Sequence, residues 1–354
     1  MATLNAKSIR TADRSSMFPK ILEFPDQLKK GWAIAGASPV SVDFGSIRNI
    51  VFSGMGGSAI AGDILKSVLG AGLRVPMAVN RGYDLPAFAD SGTLFIASSY
   101  SGNTEETLSA TEQAVGRGCR VLCVTSGGRI AEIAESKHLD RVLIPAGYPP
   151  RSALGFSLGV LLQIFDGFGV SPVSKEAFDR AAAFMARESV KMADLKNKSN
   201  AAARLAKKLK GRFPLISAAE GSLESVGFRW KCQFNENSKI HAAVLAVPEM
   251  CHNEIVGWKR LAATKPYYGA LAAVLLRSPD EHPRVRLRMN VIRGLVEKNR
   301  GKAYEAQAKG STAFERLLYL VHLGDVVSLY LAVLNGADPT EIDNINFLKK
   351  KLGQ

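Results

Sequence analysis

The strongest constraint on the fold of this chain is a repeated order of short apolar runs and longer amphipathic stretches. The runs have the length of buried strands, and the stretches between them have helical periodicity. In the first series the predicted strands are Asn49–Ser53, Val75–Val79, Leu94–Ser98, Arg120–Val124 and Arg141–Ile144. The helices that separate or follow them are Ala59–Leu69, Glu105–Gly116, Ile130–Lys137 and Ser152–Asp166. Strands joined by helices of this length pair in parallel and form a doubly wound sheet.

The same order restarts after a charged helix predicted over Ala177–Lys210. Its strands are Phe213–Ala218, Ala242–Val247, Tyr268–Arg277 and Lys302–Ala306, and its helices are Ser222–Asn235, Pro283–Glu297 and Phe314–Leu334. The sequence therefore predicts the α/β class, with two doubly wound parallel-sheet lobes and helices on both faces. We place an N-terminal arm with one helix (Phe18–Ala35) in residues 1–48, a first domain in 49–170 and a second in 171–354. Ligands of such sheets bind at the carboxyl ends of the strands.

The net charge and the apolar content of the chain limit the kinds of partner that it is expected to bind. The chain has 354 residues, enough for two domains, and its net charge of +14 favours anionic partners. The basic stretches Lys191–Arg212 and Arg284–Arg300 have helical spacing and no interleaved aromatic residues, so we interpret them as solvated helix faces rather than a nucleic-acid site. We identify no membrane-spanning run and no secretory signal, which predicts a cytoplasmic protein without a membrane partner.

Nothing in the sequence indicates a metal site. The cysteines Cys119, Cys123, Cys232 and Cys251 do not have metal-ligand spacing, and we expect them to be buried free thiols. The five histidines share no spacing typical of a zinc site. We predict no metal and no cofactor.

The loop Ser53–Ala59 (SGMGGSA) lies between a predicted strand and a predicted helix. Glycines let the backbone approach an anion, and the helix start supplies N–H donors and a positive dipole. Gly56, Gly57 and Ser58 are therefore predicted to bind a phosphate. The loop also matches the dinucleotide pattern G-x-G-x-x-G/A, but the acidic residue expected after the second strand is missing. An NADP-linked oxidoreductase, with Arg81 on a 2′-phosphate, stays an alternative.

A second loop, Ser98–Thr104 (SSYSGNT), follows another strand and precedes another helix. The hydroxyls of Ser99, Ser101 and Thr104 are predicted to form a ring of donors around a single phosphate. Helix capping by Asn103 or Thr104 is the competing interpretation, but it explains one hydroxyl and not the others.

These two loops resemble the sugar isomerase (SIS) domain. Further along, the stretches 235–239 (NENSK) and 248–258 (PEMCHNEIVGW), together with the C-terminal pattern from Asp325 to Lys349, are similar to the bifunctional phosphoglucose/phosphomannose isomerase family. The resemblance runs from about Asn49 to the C-terminus. It implies an aldose–ketose isomerase that interconverts glucose 6-phosphate, and mannose 6-phosphate as well, with fructose 6-phosphate.

Isomerisation needs a base that moves a proton between C1 and C2 and an acid or base that opens the sugar ring. Glu236 and His252 suit these two tasks by their chemistry. The resemblance implies that Glu236 transfers the proton, that His252 opens the ring, that Arg151 stabilises the enediolate and that Lys349 lies near the ring oxygen. Two further carboxylates flank the histidine and rank below Glu236 as the base: Glu249 and Glu254.

The resemblance also implies a homodimer in which one subunit lends its histidine to the other. A non-catalytic phosphosugar sensor is the alternative function, because SIS domains also occur in transcription regulators. The segment before residue 49 is short for a helix-turn-helix module and lacks its two-helix pattern. A sensor would need the phosphate loops but neither Glu236 nor His252.

Overall fold

The computed structural model describes residues 3–353, which fold into two compact units. One unit is Glu23–Ala186, and the other joins Arg187–Gln354 with the chain up to Leu22. The sequence instead places domain limits at residues 48 and 170. Those limits stay a prediction.

Fourteen α-helices and nine strands are present in the described residues. The helices are α1 (Ala6–Ala12), α2 (Met17–Leu22), α3 (Phe24–Gly36), α4 (Gly56–Leu69), α5 (Glu105–Gly116), α6 (Gly128–Ser136), α7 (Leu154–Gly167), α8 (Lys175–Ala193), α9 (Ala201–Leu209), α10 (Glu224–Glu236), α11 (Lys265–Tyr268), α12 (Pro283–Lys298), α13 (Ala313–Asn335) and α14 (Asp343–Leu352). The strands are β1 (Asn49–Ser53), β2 (Met77–Asn80), β3 (Thr93–Ser99), β4 (Arg120–Thr125), β5 (Asp140–Leu143), β6 (Phe213–Ala219), β7 (Ala243–Val247), β8 (Leu271–Arg277) and β9 (Lys302–Gln307).

The unit Glu23–Ala186 contains a five-stranded parallel sheet in the order β2-β1-β3-β4-β5. Every residue of β3 is buried, as expected for a strand covered on both faces. The strand order reverses between β1 and β3, where Val51 pairs with Phe95. A crevice for a ligand forms at such a reversal, outside the carboxyl ends of the two strands. The two loops singled out in the sequence follow β1 and β3.

The other unit contains a four-stranded parallel sheet in the order β7-β6-β8-β9. Helix α12 covers one face through Met289, Ile292 and Val296, which join the cluster around Val247. Both sheets are parallel and flanked by helices, so the predicted fold class is confirmed.

Helix α13 is the core helix of this second unit. Among residues 3–353, it alone is long and apolar enough to cross a membrane, and its apolar window is entirely buried inside the structure. Burial of this kind is what the core helix of a compact domain shows. Its N-terminus carries a capping box between Thr312 and Glu315, and it ends at Gly336 in the left-handed conformation, which confirms the predicted stop at Asn335-Gly336.

Two helices predicted as continuous are each divided. The predicted helix Phe18–Ala35 is α2 followed by α3, because Pro25, in the first turn of α3, has no N–H to donate to the Ile21 carbonyl and cannot continue the hydrogen bonds of α2. The predicted helix Ala177–Lys210 is α8 followed by α9. There the side chain of Asn200 accepts a hydrogen bond from the Ala203 N–H and starts α9 afresh.

Candidate active site

The loop after β1 leads directly into α4, which begins at Gly56 rather than at the predicted Ala59. Gly56, Gly57 and Ser58 therefore form the first helical turn. The residue before them, Met55, makes no side-chain capping hydrogen bond, and the turn contains no acidic residue. This helix start combines backbone donors with an uncompensated positive dipole, which suits an anion.

The loop after β3 is tied together by its own hydroxyls. Ser99 Oγ lies 3.0 Å from Thr104 Oγ1 and accepts a hydrogen bond from the Gly102 N–H at 3.1 Å. Ser101 Oγ accepts from the Asn103 N–H at 3.3 Å and is exposed, whereas Ser99 is fully buried. Thr104 is the N-cap residue of α5, but its side chain makes no capping hydrogen bond. The structure thus gives the Thr104 hydroxyl a partner in the loop rather than in the helix.

The two loops adjoin each other at Ser58. Its Oγ accepts a hydrogen bond from the Tyr100 N–H at 3.0 Å, and its backbone carbonyl accepts one from Ser98 Oγ at 3.5 Å. Of the six residues predicted to bind a phosphate, Gly56, Gly57 and Ser58 form the first turn of α4, and Ser58 adjoins the loop that holds Ser99, Ser101 and Thr104. A set of backbone N–H groups and hydroxyls at two helix starts can hold a tetrahedral anion.

Sequence analysis missed a third loop, Thr125–Gly128, which supports the second. Ser126 Oγ donates to the Tyr100 carbonyl at 2.6 Å, and Asn103 Oδ1 accepts from the Arg129 N–H at 3.0 Å. The loop leads from β4 into α6, whose N-cap residue Gly127 has a φ of 148°. The signal was present, because a Ser-Gly-Gly run between a strand and a helix has the same form as the first loop.

Arg151 lies beside the first loop. It is in a short 3₁₀-helix, Pro150–Ser152, and is only 4% exposed. A Cβ atom on Gly57 would lie 2.9 Å from the Pro150 carbonyl oxygen and 3.1 Å from the Arg151 backbone nitrogen. Gln27 Nε2 donates to the Ser152 carbonyl at 2.8 Å and holds this turn on α3. Close approach of the turn to α4 therefore requires a glycine at position 57.

Two tyrosines brace the same region. Tyr100 donates its hydroxyl proton to the Pro145 carbonyl at 2.8 Å and accepts from the Tyr148 N–H at 3.0 Å. The Tyr148 hydroxyl donates to Glu23 Oε2 at 2.6 Å, and this bond to a carboxylate, with burial, raises the pKa of Tyr148 to about 12. Burial also raises the pKa of Tyr100. Both hydroxyls thus remain protonated hydrogen-bond donors at neutral pH.

Glu236, the predicted proton-transfer base, is the last residue of α10 and is half-buried. The Lys239 ammonium donates to the Glu236 carbonyl at 2.6 Å and to the Glu341 carbonyl at 2.6 Å. These bonds fasten the end of α10 to the segment that precedes α14.

His252 and Lys349 lie on two other elements of the same unit. His252 ends a 3₁₀-helix, Glu249–His252, that follows β7, and its side chain is exposed. Lys349 is exposed on α14, a helix without a buried residue in the described chain. The competing carboxylates Glu249 and Glu254 are exposed as well, and Glu249 Oε1 accepts from Asn253 Nδ2 at 2.9 Å. The roles of these residues stay predictions.

The remaining candidates have structural partners. The Arg81 guanidinium, suggested for a 2′-phosphate, pairs with the Asp63 carboxylate of α4. All four cysteines are free, but only Cys119 and Cys123 are buried, whereas Cys232 and Cys251 are partly exposed. The prediction of four buried thiols is wrong for the latter two. Within residues 3–353, no cluster of three or more His, Cys, Asp or Glu side chains has a metal-binding arrangement.

Comparison with known proteins identifies the family. The model of the bacterial phospho-glucose isomerase C-terminal SIS domain matches residues 198–352, and the SIS domain model matches residues 44–140. A bifunctional phosphoglucose/phosphomannose isomerase of Caldicellulosiruptor bescii is 37% identical over 339 residues, which cover 96% of this chain and 99% of that protein. Its counterpart in Aquifex aeolicus is 34% identical, covering 88% of this chain and 93% of that protein. The chain belongs to the bifunctional phosphoglucose/phosphomannose isomerase family.

Solved structures agree on the fold of this bifunctional isomerase family member. The C-terminal domain of glucosamine-fructose-6-phosphate aminotransferase from Francisella tularensis matches with a TM-score of 0.72 at 16% identity, covering 92% of this chain and 98% of that one. The tagatose-6-phosphate ketose/aldose isomerase of Escherichia coli matches with a TM-score of 0.71 at 15% identity, covering 96% and 97%. The predicted family resemblance is confirmed. The SIS domain match (44–140) contains the loops after β1 and β3, and the C-terminal match (198–352) contains Glu236, His252 and Lys349.

Proposed function

We propose that the chain interconverts glucose 6-phosphate and mannose 6-phosphate with fructose 6-phosphate. The main support for this proposal is that the chain is 37% identical to a bifunctional isomerase over 99% of that protein's length. The paired loops after β1 and β3 support it, because they offer backbone and hydroxyl donors suited to the 6-phosphate.

The proposed chemistry is a proton transfer through a cis-enediolate. The Glu236 carboxylate takes the proton from C2 of the open-chain aldose, and the electrons of that bond form the C1–C2 double bond as negative charge develops on O1. Return of the proton from Glu236 to C1, with transfer of the O2 proton to O1, gives the ketose with its C1 hydroxyl. The C2 epimers share this enediolate but carry the C2 hydrogen on opposite faces of it. One base therefore serves both aldoses when the C1–C2 fragment turns about the C2–C3 bond and presents either face to Glu236. The proton passes between C1 and C2 through the Glu236 carboxylate, where it exchanges with solvent, and no redox cofactor is consumed.

Three cationic or titratable residues complete the proposed mechanism. The Arg151 guanidinium stabilises the negative charge of the enediolate, since a fixed cation is most effective where charge develops. His252 opens the ring by exchanging protons with the ring oxygen and O1, a task that suits an imidazole near neutral pH. Lys349 is the proposed polar neighbour of the ring oxygen.

We also propose that the protein acts as a cytoplasmic homodimer in which one subunit lends His252 to its partner. The exposure of large apolar side chains supports the homodimer: within a single chain Val256, four residues after His252, is 70% exposed, and Tyr267 is 56% exposed. Burial against another subunit would remove these side chains from water.

A coupled assay tests the activity. The purified protein, treated with EDTA, is given fructose 6-phosphate, and formation of glucose 6-phosphate and mannose 6-phosphate is followed separately. We expect both products. Glucose 6-phosphate alone would narrow the substrate range and retain the mechanism. Binding of fructose 6-phosphate without turnover would contradict the proposal and indicate a phosphosugar sensor, and zinc-dependent turnover would contradict a metal-free mechanism.

A further inference from the structure

The position of the Glu236 carboxylate depends on the end of a helix. Helix ends fray, and the last turn of an isolated helix has no fixed partner for its carbonyl groups. A displacement of about 1 Å in a reacting group can cost on the order of a hundredfold in rate. A base on the last residue of α10 therefore requires contacts that hold this helix end in place.

The middle of α10 is fixed to α13 by a buried ion pair. Arg229 donates from Nε to Asp325 Oδ1 at 2.9 Å and from Nη2 to Asp325 Oδ2 at 2.7 Å. Gln233, one turn further along, donates from Nε2 to Asp325 Oδ1 at 2.7 Å. The Arg229 and Asp325 side chains are 3% and 5% exposed. A two-pronged pair of this kind fixes orientation as well as distance.

The end of α10 has its own buried attachment, centred on Ser328 of α13. Asn237 Nδ2 donates to Ser328 Oγ at 2.9 Å, and Ser238 Oγ donates to the Ser328 carbonyl at 2.6 Å. Ser328 Oγ in turn donates to the Asp325 carbonyl at 2.7 Å. Asn237, Ser238 and Ser328 are all inaccessible to solvent. We call Asn237, Ser238 and Ser328 the α10 clamp.

The clamp acts on the two residues that directly follow Glu236. Because the side chains of Asn237 and Ser238 are fixed on α13, the backbone between them and Gln233 has little freedom to rotate about the helix axis. Lys239, which directly follows Ser238, donates a hydrogen bond from its ammonium group to the Glu236 carbonyl. Burial of three polar side chains costs free energy unless each of them makes its hydrogen bonds. Apolar residues could also pack α10 on α13, but they would lack the directional hydrogen bonds that fix the orientation of the helix end.

We propose that Asn237, Ser238 and Ser328 are positioning residues for proton transfer, holding the Glu236 carboxylate in its reactive position. This inference rests on the proposed function of Glu236. The clamp residues do not contact substrate in this account, so their loss lowers kcat and leaves phosphate binding unaffected. A purely structural role would lower stability and leave kcat unchanged.

The test compares Asn237→Ala with a matched control, Asn200→Ala. Asn200 is also buried in the same unit, where it donates to the Met192 and Asp194 carbonyls and accepts from the Ala203 N–H at the start of α9, so none of these partners belongs to α10. We expect Asn237→Ala to lower kcat at least about tenfold with KM changed less than about twofold. Asn200→Ala should lower the melting temperature by a similar amount and leave kcat within about twofold. Equal kcat losses in both variants, or none in Asn237→Ala, would overturn the inference.

A double-mutant cycle isolates the action through Glu236. If the clamp acts by positioning this carboxylate, Asn237→Ala should lower kcat no further once Glu236→Gln is present. If Asn237→Ala still lowers kcat by its full factor in the Glu236→Gln protein, the clamp does not act through Glu236 and the inference is wrong, although Glu236 remains the proposed base. Near-normal turnover of Glu236→Gln alone would instead contradict the proposed function. If Asn237→Ala does not fold, Ser328→Ala, which removes a single hydroxyl, takes its place in the same cycle. Ser328→Thr keeps the hydroxyl and should therefore have a higher kcat than Ser328→Ala.

Discussion

At the scale of single residues, the space around Gly57 decides where the turn that carries Arg151 can lie. The missing side chain lets the Pro150 carbonyl approach the first turn of α4 more closely than a Cβ atom permits. Sequence analysis identified Gly57 as a residue that lets an anion approach the backbone. The structure adds a second reason for the glycine, which depends on a contact with a residue far away in the chain.

Gly57→Ala should therefore displace the Pro150–Ser152 turn. We expect kcat/KM to fall at least about tenfold and stability to fall by about 1–3 kcal/mol, the usual cost of overpacking. Gly116→Ala, at the end of α5, is the control, because a Cβ there meets nothing within 4 Å. Steady-state kinetics and urea unfolding of both variants measure the difference, and equal behaviour of the two would contradict this role of Gly57.

Ser101 and Thr104 are the residues on which the phosphate assignment is most easily tested. Replacing both by alanine removes two hydroxyl donors, and a hydrogen bond to a charged group contributes about 1.5–3 kcal/mol. KM for fructose 6-phosphate should rise at least about tenfold, with a smaller change in kcat. Ser136→Ala, which removes an exposed hydroxyl bonded to the Ile133 carbonyl, should change neither. An unchanged KM in the double variant would show that the phosphate binds elsewhere.

The residues of the loops after β1 and β3 could be predicted from local patterns in the sequence, but their hydrogen-bond partners could not. Glycines and hydroxyls between a strand and a helix are visible in the sequence as a loop suited to an anion. That Ser58 Oγ accepts from the Tyr100 N–H follows only from the pairing of β1 with β3, which brings residues 42 positions apart into contact. The third loop, Thr125–Gly128, was equally predictable, because its Ser-Gly-Gly run stands between a strand and a helix.

At the scale of elements, the packing of α10 on α13 determines the geometry of the Glu236 end. Trp230 of α10 donates its indole N–H to the Leu320 carbonyl at 2.8 Å, and the indole lies directly against Gly324. A larger residue at position 324 would push the two helices apart. The helix pair therefore depends on a small residue in the middle of a long apolar helix.

Gly324→Ala should destabilise the protein by about 1–3 kcal/mol, because its Cβ would overlap the Trp230 ring. Gly294→Ala on α12 is the matched change in a helix with open space at the new Cβ, and alanine there should stabilise the protein by about 0.5–1 kcal/mol. Urea unfolding of the two variants beside the wild type measures both effects. Destabilisation of similar size in both would mean that backbone effects, and not the Trp230 contact, dominate.

The sequence predicted most of these elements to within a few residues, since their apolar periodicity is strong. It failed where a local feature interrupts a continuous pattern, as at Pro25 in the first turn of α3 and at Asn200 between α8 and α9. It also failed for α1, although Asn5 and Ser8 form a capping box there. The Arg229–Asp325 pair could not be predicted, because 96 positions separate its partners and only the tertiary fold brings them together.

At the scale of the whole molecule, the buried polar groups of α13 link stability to pH. His322 is completely buried, and its Nε2 lies 3.0 Å from Ser189 Oγ. Burial, together with the nearby Arg229 charge, lowers the pKa of His322 to about 3. The folded state thus keeps this histidine neutral at a pH where the unfolded chain, with a pKa near the ordinary 6.5, takes up a proton.

The sign of the effect follows from this difference. Stability is complete above pH 6.5 and is lost as the pH falls towards about 3, at up to about 1.4 kcal/mol for each pH unit. Between pH 6.5 and pH 5 the loss should be about 1.6 kcal/mol. His322→Asn should abolish this part of the pH dependence, as measured by urea unfolding at both pH values. An equal slope in the variant and the wild type would contradict the burial of a neutral histidine.

The central claim is that Glu236 moves a proton between C1 and C2. Its most direct test is the incubation of fructose 6-phosphate with the protein in D₂O, followed by mass spectrometry of the recovered hexose phosphates. We predict deuterium at C2 of the aldose products and a loss of both turnover and incorporation of at least about a hundredfold in Glu236→Gln, with fructose 6-phosphate still bound. Isomerisation to equilibrium without deuterium, or near-normal incorporation in the variant, would contradict the account.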